Sequence, residues 1–281
     1  MRRALLALLF LAAPATAHAQ LVAAVLPTAR SVKIEQQPIT AFATVINTGT
    51  LPFVQCTVTP DSFLQVDLTY QTTDPRTNAL TGTPNTPFDI PAGGAQTLLL
   101  AVTLIASRGV PDPLVSDIGF NFFCPNVPSA PIVPGVNVLK ARASAVAAPD
   151  VVAIAKTPNN DGIVNVGSVF AVATINLGAA GGIFVQATGP AGTIALVCQT
   201  DPITSVCLQA PDHSVVVGYN PNDKFTYGVF VTSSQAIAFN PAVNRVFVQF
   251  TDAAPVCVNP SCPSKGVFLR GETSVAVRSA P

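Results

Sequence analysis

The chain has no tryptophan, one methionine and two histidines. His18 lies in the N-terminal leader, so His213 is the one imidazole left for chemistry. Glu35 and Glu272 are the only glutamates, and charged residues make up 10% of the chain. Each shortage excludes something. A Ser-His-Asp triad would have to form around His213, and no Gly-x-Ser-x-Gly elbow presents a nucleophile. Beside Asp212 in the stretch Pro211-Asp212-His213-Ser214, His213 reads as an exposed turn residue. Sugar-stacking platforms are few, with three tyrosines (Tyr70, Tyr219, Tyr227) and no tryptophan. Setting aside Arg2 and Arg3 leaves 12 basic against 14 acidic residues, a net charge of −2 with no basic stripe. Nucleic acid is therefore a poor partner. No phosphate-cradling glycine loop appears. Past the leader, no apolar run reaches the ~18 residues that suggest a membrane span. The longest candidate, 97–106, reads as a buried strand.

What is there begins with a leader. Arg2 and Arg3 precede an apolar run over 5–13, and Ala17-His18-Ala19 is a small-x-small cleavage site. This is the pattern of a secretory signal peptide over 1–19, with the mature chain starting at Gln20. No lipid-box cysteine follows, since Cys56 is the first cysteine. The expected location is exported: periplasmic, cell-surface or extracellular.

The mature part is one pattern written twice. Phe42-Ala43-Thr44-Val45-Ile46-Asn47-Thr48-Gly49 returns as Ala171-Val172-Ala173-Thr174-Ile175-Asn176-Leu177-Gly178. Phe53-Val54-Gln55 returns as Phe184-Val185-Gln186, and Ile118-Gly119-Phe120-Asn121-Phe122 returns as Val246-Phe247-Val248-Gln249-Phe250. A period near 130 is the size of a domain, not of a solenoid unit. Two domains are expected, over 20–147 and 148–281, with a limited hinge at Ala147-Ala148-Pro149-Asp150. There are 26 prolines and 18 glycines, many in turn clusters. Short Val-, Ile-, Phe- and Thr-rich runs alternate with them. The fold class expected is all-β: two tandem immunoglobulin-like antiparallel β-sandwiches of about seven strands each. In the first copy, strands are expected at 21–26, 31–34, 40–47, 53–58, 63–70, 88–90, 97–105, 118–124 and 136–146, with 97–105 central. Over 53–58 the alternation puts Phe53, Gln55 and Thr57 on one face, and Val54, Cys56 and Val58 on the other.

Both copies end a strand in Asn-x-Gly, at Asn47-Thr48-Gly49 and Asn176-Leu177-Gly178. With a Pro-Gly-type turn ahead of a long apolar strand, this resembles bacterial immunoglobulin-like domains of the cell-adhesion-related kind. The resemblance implies a spacer or binding module in a secreted or surface protein, with no shared catalytic residues.

Six cysteines in an exported chain suggest disulfides. Cys56 aligns with Ala187 and Cys124 with Asp252, so both are missing from the second copy together, which favours a Cys56–Cys124 bridge across the first sandwich. Cys198 and Cys207 flank a turn, as do Cys257 and Cys262, and local pairing of each is the simplest scheme. Cys257-x4-Cys262 has no companion ligands for zinc. Asn159-Asn160-Asp161-Gly162 lacks the alternating oxygens of a calcium loop and reads as a tight turn. Asp74-Pro75 and Asp201-Pro202 recur at matching points and read as a shared turn. No cofactor or metal is expected.

Pro125, Pro128, Pro131 and Pro134 fall every third residue, the period of a polyproline II helix, so their rings line one edge. The matching loop of the second copy carries Asn259 and Pro260 between Cys257 and Cys262. These two stiffened loops are the candidate contact loops. The expected role is that of a secreted or cell-envelope structural or adhesive protein, non-catalytic, with an envelope or extracellular protein, or a second copy, as partner. The alternatives are an accessory glycan- or peptide-binding module and a periplasmic assembly chaperone. Against the chaperone, the sequence offers no evident basic anchor pair for a client carboxylate.

Overall fold

A computed structural model describes residues 20–63, 65–105, 112–252 and 268–279. The leader 1–19, Cys257, Asn259, Pro260 and Cys262 lie outside the described residues. The first copy contributes β1 (Leu21–Leu26), β2 (Ala29–Lys33), β3 (Ile39–Asn47), β4 (Phe53–Asp61), β5 (Val66–Thr73), β6 (Phe88–Ile90), β7 (Ala95–Leu104), β8 (Leu114–Phe123) and β9 (Val138–Ser144). The second contributes β10 (Val151–Lys156), β11 (Ile163–Asn165), β12 (Ser168–Asn176), β13 (Gly181–Thr188), β14 (Thr193–Thr200), β15 (Ser214–Tyr219), β16 (Lys224–Ser233), β17 (Arg245–Asp252) and β18 (Leu269–Arg278). The chain is all-β, and each copy is a β-sandwich. The first stacks the sheet β1-β3-β7-β5 on the sheet β2-β9-β8-β4-β6. The second repeats the order strand for strand, as β10-β12-β16-β14 on β11-β18-β17-β13-β15. No helix among the described residues is long and apolar enough to cross a membrane.

The alternation of β-branched and polar residues explains the layers. In β3 every second residue is buried, so Ile39, Ala41, Ala43 and Val45 face inward. The inner faces meet through Leu98, Leu100, Ile118, Phe120 and Phe122 in the first copy. Phe170, Val185, Tyr227, Val229 and Phe250 fill the second. Each such side chain contributes on the order of 1.5–3 kcal/mol by leaving water. The apolar β7 is central, between β3 and β5, as its composition implies.

All nine segments expected in the first copy, the split first strand and 88–90 included, appear as strands, and the second copy has nine as well, two more than the seven of the expected sandwich type. Three details differ from the sequence reading. β2 and β11 pair in parallel with β9 and β18, so the sheets are not purely antiparallel. β5 starts at Val66, and Phe63 is 98% exposed instead of opening a strand. Finally, strict alternation fails in β4. Gln55 sits at φ 54° and the register shifts between Phe53 and Cys56, so Phe53, Cys56 and Val58 all face inward.

That bulge also corrects the alignment of the copies. Val58 faces Phe122 across β4 and β8, and Val185 faces the matching Phe250 across β13 and β17. Cys56 therefore corresponds to Ile183, not Ala187, and the match of Phe53-Val54-Gln55 with Phe184-Val185-Gln186 is not a structural equivalence.

The Asn-x-Gly motif has a physical role. Asn47 is fully buried, donates to the Leu51 and Ile90 carbonyls and accepts from Gly49 N–H. Asn176 likewise donates to Ala179 and Asn220 and accepts from Gly178. Each amide ties a strand end to its loop. The two Asp-Pro turns also match. Asp74 accepts from Arg76 and Thr77, and Asp201 accepts from Ile203 and Thr204. These donors, the backbone N–H of Thr77 and of Thr204 foremost, hold both carboxyls below the ordinary aspartate range. Asp161 and Thr157 close the turn at 157–163 in the same way.

The link between the sandwiches is pinned at several points. Asp150 N–H donates to Asn176 Oδ1, Leu177 N–H to Asp150 O, and Ala179 N–H to Ala148 O. Gly271 lies so close to Val151 that a Cβ there would collide with the Val151 carbonyl. Gly271→Ala is expected to cost about 3 kcal/mol, as overpacking does. A guanidinium chloride midpoint unchanged from wild type would contradict this.

Candidate functional site: the cleft between the sandwiches

Few charges are available, and many of them meet where the sandwiches join. β2 supplies Arg30, β9 supplies Lys140 and Arg142, and β18 supplies Arg270 and Glu272. In β9, Lys140 and Arg142 are alternate residues and project to one side of an otherwise apolar strand. In β18, alternation of burial is lost: Arg270, Gly271, Glu272 and Thr273 are all buried. One face of β18 meets its own core, and the other meets the first sandwich. Arg270 is the extra residue of a β-bulge, since Phe250 faces Gly271 while Thr251 faces Leu269. The bulge aims its guanidinium along the joint.

Most of the cations are paired. Arg30 Nη2 is 2.8 Å from Asp150 Oδ2, and Ser31 N–H donates to Asp150 Oδ1 at 2.8 Å. Lys140 Nζ is 2.7 Å from Glu272 Oε2, which also accepts from Gln249 Nε2 at 2.8 Å. Arg270 grips Asp252 through Nε at 2.6 Å and Nη2 at 2.7 Å, and its Nη1 donates to Ser31 Oγ. Thr28 Oγ1 donates to Glu272 O, and Ser274 Oγ to Gly135 O, so neutral bonds lace the same seam. Asp252 has the position that Cys124 has in the first copy. Its strand partner Ile183 stands where Cys56 stands, so the second copy replaces a disulfide position with an ion pair to the joint.

Arg142 is different. Its Nη1 donates to Leu269 O at 2.9 Å, and its guanidinium lies 4.6 Å from the centre of the Phe268 ring. Its Nε is buried and has no hydrogen-bond partner among the described residues. Among the described residues no carboxylate lies at ion-pair distance from it. Burial first, and then the like charge of Arg270, push its pKa down to about 10. With Lys140, Val115, Asp117, Ala141 and Leu269 it lines a cleft of about 210 Å³. The arrangement can hold an anionic group, with Arg142 and the exposed side of Lys140 as donors.

The sequence reading missed this cluster. The available signal was the pair of alternate charges inside the closing strand of each copy, Lys140-x-Arg142 and Arg270-x-Glu272. Lys140 and Arg142 stand two apart in β9, but the sequence does not show that they reach the joint, where Arg30 and Arg270 arrive from two other strands.

The expected site residues are placed elsewhere. Pro125, Pro128, Pro131 and Pro134 are all exposed, while Val127 and Ala130 between them are buried, so the three-residue period does present one edge to solvent. Pro131 lines a second groove, of about 330 Å³, with Val22 of β1 and with Pro241 and Arg245 of the second sandwich. Cys56 is joined to Cys124 and Cys198 to Cys207. The first bridge links neighbouring strands of one sheet; it does not cross the sandwich. His213 is exposed, and its backbone N–H donates to Asp212 Oδ1. Tyr70, Tyr219 and Tyr227 are all buried, so none offers a surface ring for sugar.

No family model matches the chain, and no curated protein matches it. Solved structures do. A crystal structure of the YadV chaperone matches at 11% identity, over 90% of this chain and 99% of that one, with a TM-score of 0.27. The CupB2 chaperone of Pseudomonas aeruginosa matches at 11% identity over 90% and 99%, with a TM-score of 0.24. A protein of unknown function from Porphyromonas gingivalis W83 matches at 13% identity over 92% and 99%, with a TM-score of 0.25. These likenesses are slight, and the functional reading rests on the geometry.

Proposed function

We propose that the protein is an exported, non-catalytic assembly protein of the cell envelope, acting as a chaperone that holds a partner polypeptide at the cleft between its sandwiches. The observation that carries this reading is Arg142, a largely buried cation that borders the cleft and has no carboxylate at ion-pair distance among the described residues. Asp252 and Asp117 act on Arg142 only from beyond ion-pair distance, so its desolvation is incompletely offset, and an incoming carboxylate in direct contact relieves that cost. A side-chain carboxylate or a chain terminus of an extended partner fits this chemistry. The bonds around Asp150, Glu272 and Asp252 hold both walls of the cleft, so little order has to be gained on binding. Two disulfides fit an oxidising compartment.

A second reading, a structural or adhesive role, has its own support. Val22, Leu26, Phe42 and Ile46 are exposed together on the outer face of β1 and β3, a surface suited to passive contact. One experiment separates the two. The tagged protein is crosslinked in its native envelope and recovered, as wild type, Arg142→Ala and Phe42→Ser. The cleft reading expects partner recovery to fall at least tenfold in Arg142→Ala, about 1.4 kcal/mol or more, and to persist in Phe42→Ser. Loss in Phe42→Ser alone would replace it with the adhesive reading.

A further inference from the structure

A β-sandwich has four sheet edges, and this chain has eight. An uncovered edge strand is a template for another strand, and folded proteins blunt such edges. The chain treats its own unequally. β2 and β10 face the joint, where Asp150 caps Ser31 N–H and Gly271 abuts Val151. β5 is overlaid by the loop after it, through Thr81 N–H to Thr72 O and Asn85 N–H to Tyr70 O, and Asp67 puts a charge on the rest. β14 is overlaid by residues 207–212, through paired bonds between Val197 and Asp212 and Leu208 N–H to Gln199 O. β1 has the proline loop alongside, with Val25 N–H bonded to Val136 O. β6 and β11 are three residues long.

β15 is the exception. It runs six residues, Ser-Val-Val-Val-Gly-Tyr, with no charge and no proline, in unbroken register with β13. Among the described residues, no backbone group bonds to its outer side. Val216 on its open face is 66% exposed. Gly218, two residues on, has an ordinary φ, and a Cβ there would meet nothing within 4 Å. Nothing in its own fold requires glycine at that position.

We propose that β15 is a dimerisation edge, pairing antiparallel with β15 of a second copy. Two such strands about a two-fold axis satisfy each other's outward N–H and C=O groups with no third chain. Side chains must stay on matching faces, so paired positions differ by an even number. Two registers then keep five of the six residues overlapped. One sets Val216 against Val216, and the other sets Val216 against Gly218. The second fills the open space over Gly218 with Val216 of the other copy, twice about the axis, and is the register assigned here. A single edge left bare among the described residues closes the assembly as a dimer and does not propagate a fibre. In its sheet β15 lies at the opposite end from β18 and β11, so pairing leaves the cleft free. The inference stands apart from the cleft reading.

The test is light-scattering mass across a concentration series, on the disulfide-intact mature protein. Wild type is expected to approach twice the monomer mass. Val216→Lys is expected to stay monomeric with an unchanged circular dichroism spectrum and melting temperature, because the side chain is exposed. A register test uses Val216→Cys and Gly218→Cys chains, which are expected to crosslink on mixing under mild oxidation. A wild type that stays monomeric throughout, or a Val216→Lys variant that still dimerises, would overturn the proposal. A covalent dimer from Val216→Cys alone would overturn the register.

Discussion

Asp150→Ala is expected to destabilise the protein by about 3–5 kcal/mol, the cost of removing one partner from a buried ion pair. The Asp150 side chain is 3% exposed and that of Arg30 12%, so neither is well solvated. Asp150 accepts from Arg30 Nε, Arg30 Nη2 and Ser31 N–H. Alanine leaves all three donors in a space that water does not readily fill. The same residue begins the second copy, so the loss falls on the coupling of the sandwiches more than on either core. Calorimetry is therefore expected to resolve two transitions in place of one. The control is Arg30→Met with Asp150→Leu, which removes both charges together. It is expected to recover most of the loss, leaving about 1–2 kcal/mol for the unpaired Ser31 N–H. A single Asp150→Ala transition at the wild-type temperature would show that the joint does not couple the sandwiches.

The other large effect is on the Cys56–Cys124 bridge. It spans 68 residues, so its removal restores about 4 kcal/mol of loop entropy to the unfolded chain. The Cys198–Cys207 bridge spans 9 residues and is worth about 2.5 kcal/mol on the same reasoning. Cys56→Ala with Cys124→Ala is expected to lower the melting temperature by on the order of 10–15 °C. Cys198→Ala with Cys207→Ala is expected to do less, with its effect concentrated in the loop over β14. Cys56, Cys124 and Cys198 are all buried, whereas Cys207 is half-buried, so thiols should reach the Cys198–Cys207 bridge first, through Cys207. Mass mapping after brief reduction checks the order. Faster loss of the Cys56 bridge would contradict it.

The joint also explains which expectations failed. The chaperone reading is weak along the chain because nothing in the stretch Lys140-x-Arg142 shows that both side chains reach a joint. Arg30, Lys140, Arg142 and Arg270 become neighbours only when β2, β9 and β18 pack along one seam. Similarly, the alignment of Cys56 with Ala187 follows residue identity, and a single bulged residue at Gln55 shifts it to Ile183. A local backbone kink leaves no trace in a hydrophobic pattern of period two, apart from a break in alternation.

What the sequence determined by itself was the class and the doubling of the fold. Alternating Val, Ile and Phe dictate half-buried strands, Asn-x-Gly and Asp-Pro dictate the turns, and repetition at a domain-sized period dictates two sandwiches. These are local matters, settled by side-chain direction and backbone preference within a few residues. Only the tertiary structure decided the joint, the unpaired Arg142 and the bare edge of β15. Each depends on what another strand, more than a hundred residues away for Arg30 and Asp150, places or fails to place alongside. Charge pairing and edge protection are properties of distance in space, and the order of residues along the chain does not encode them directly.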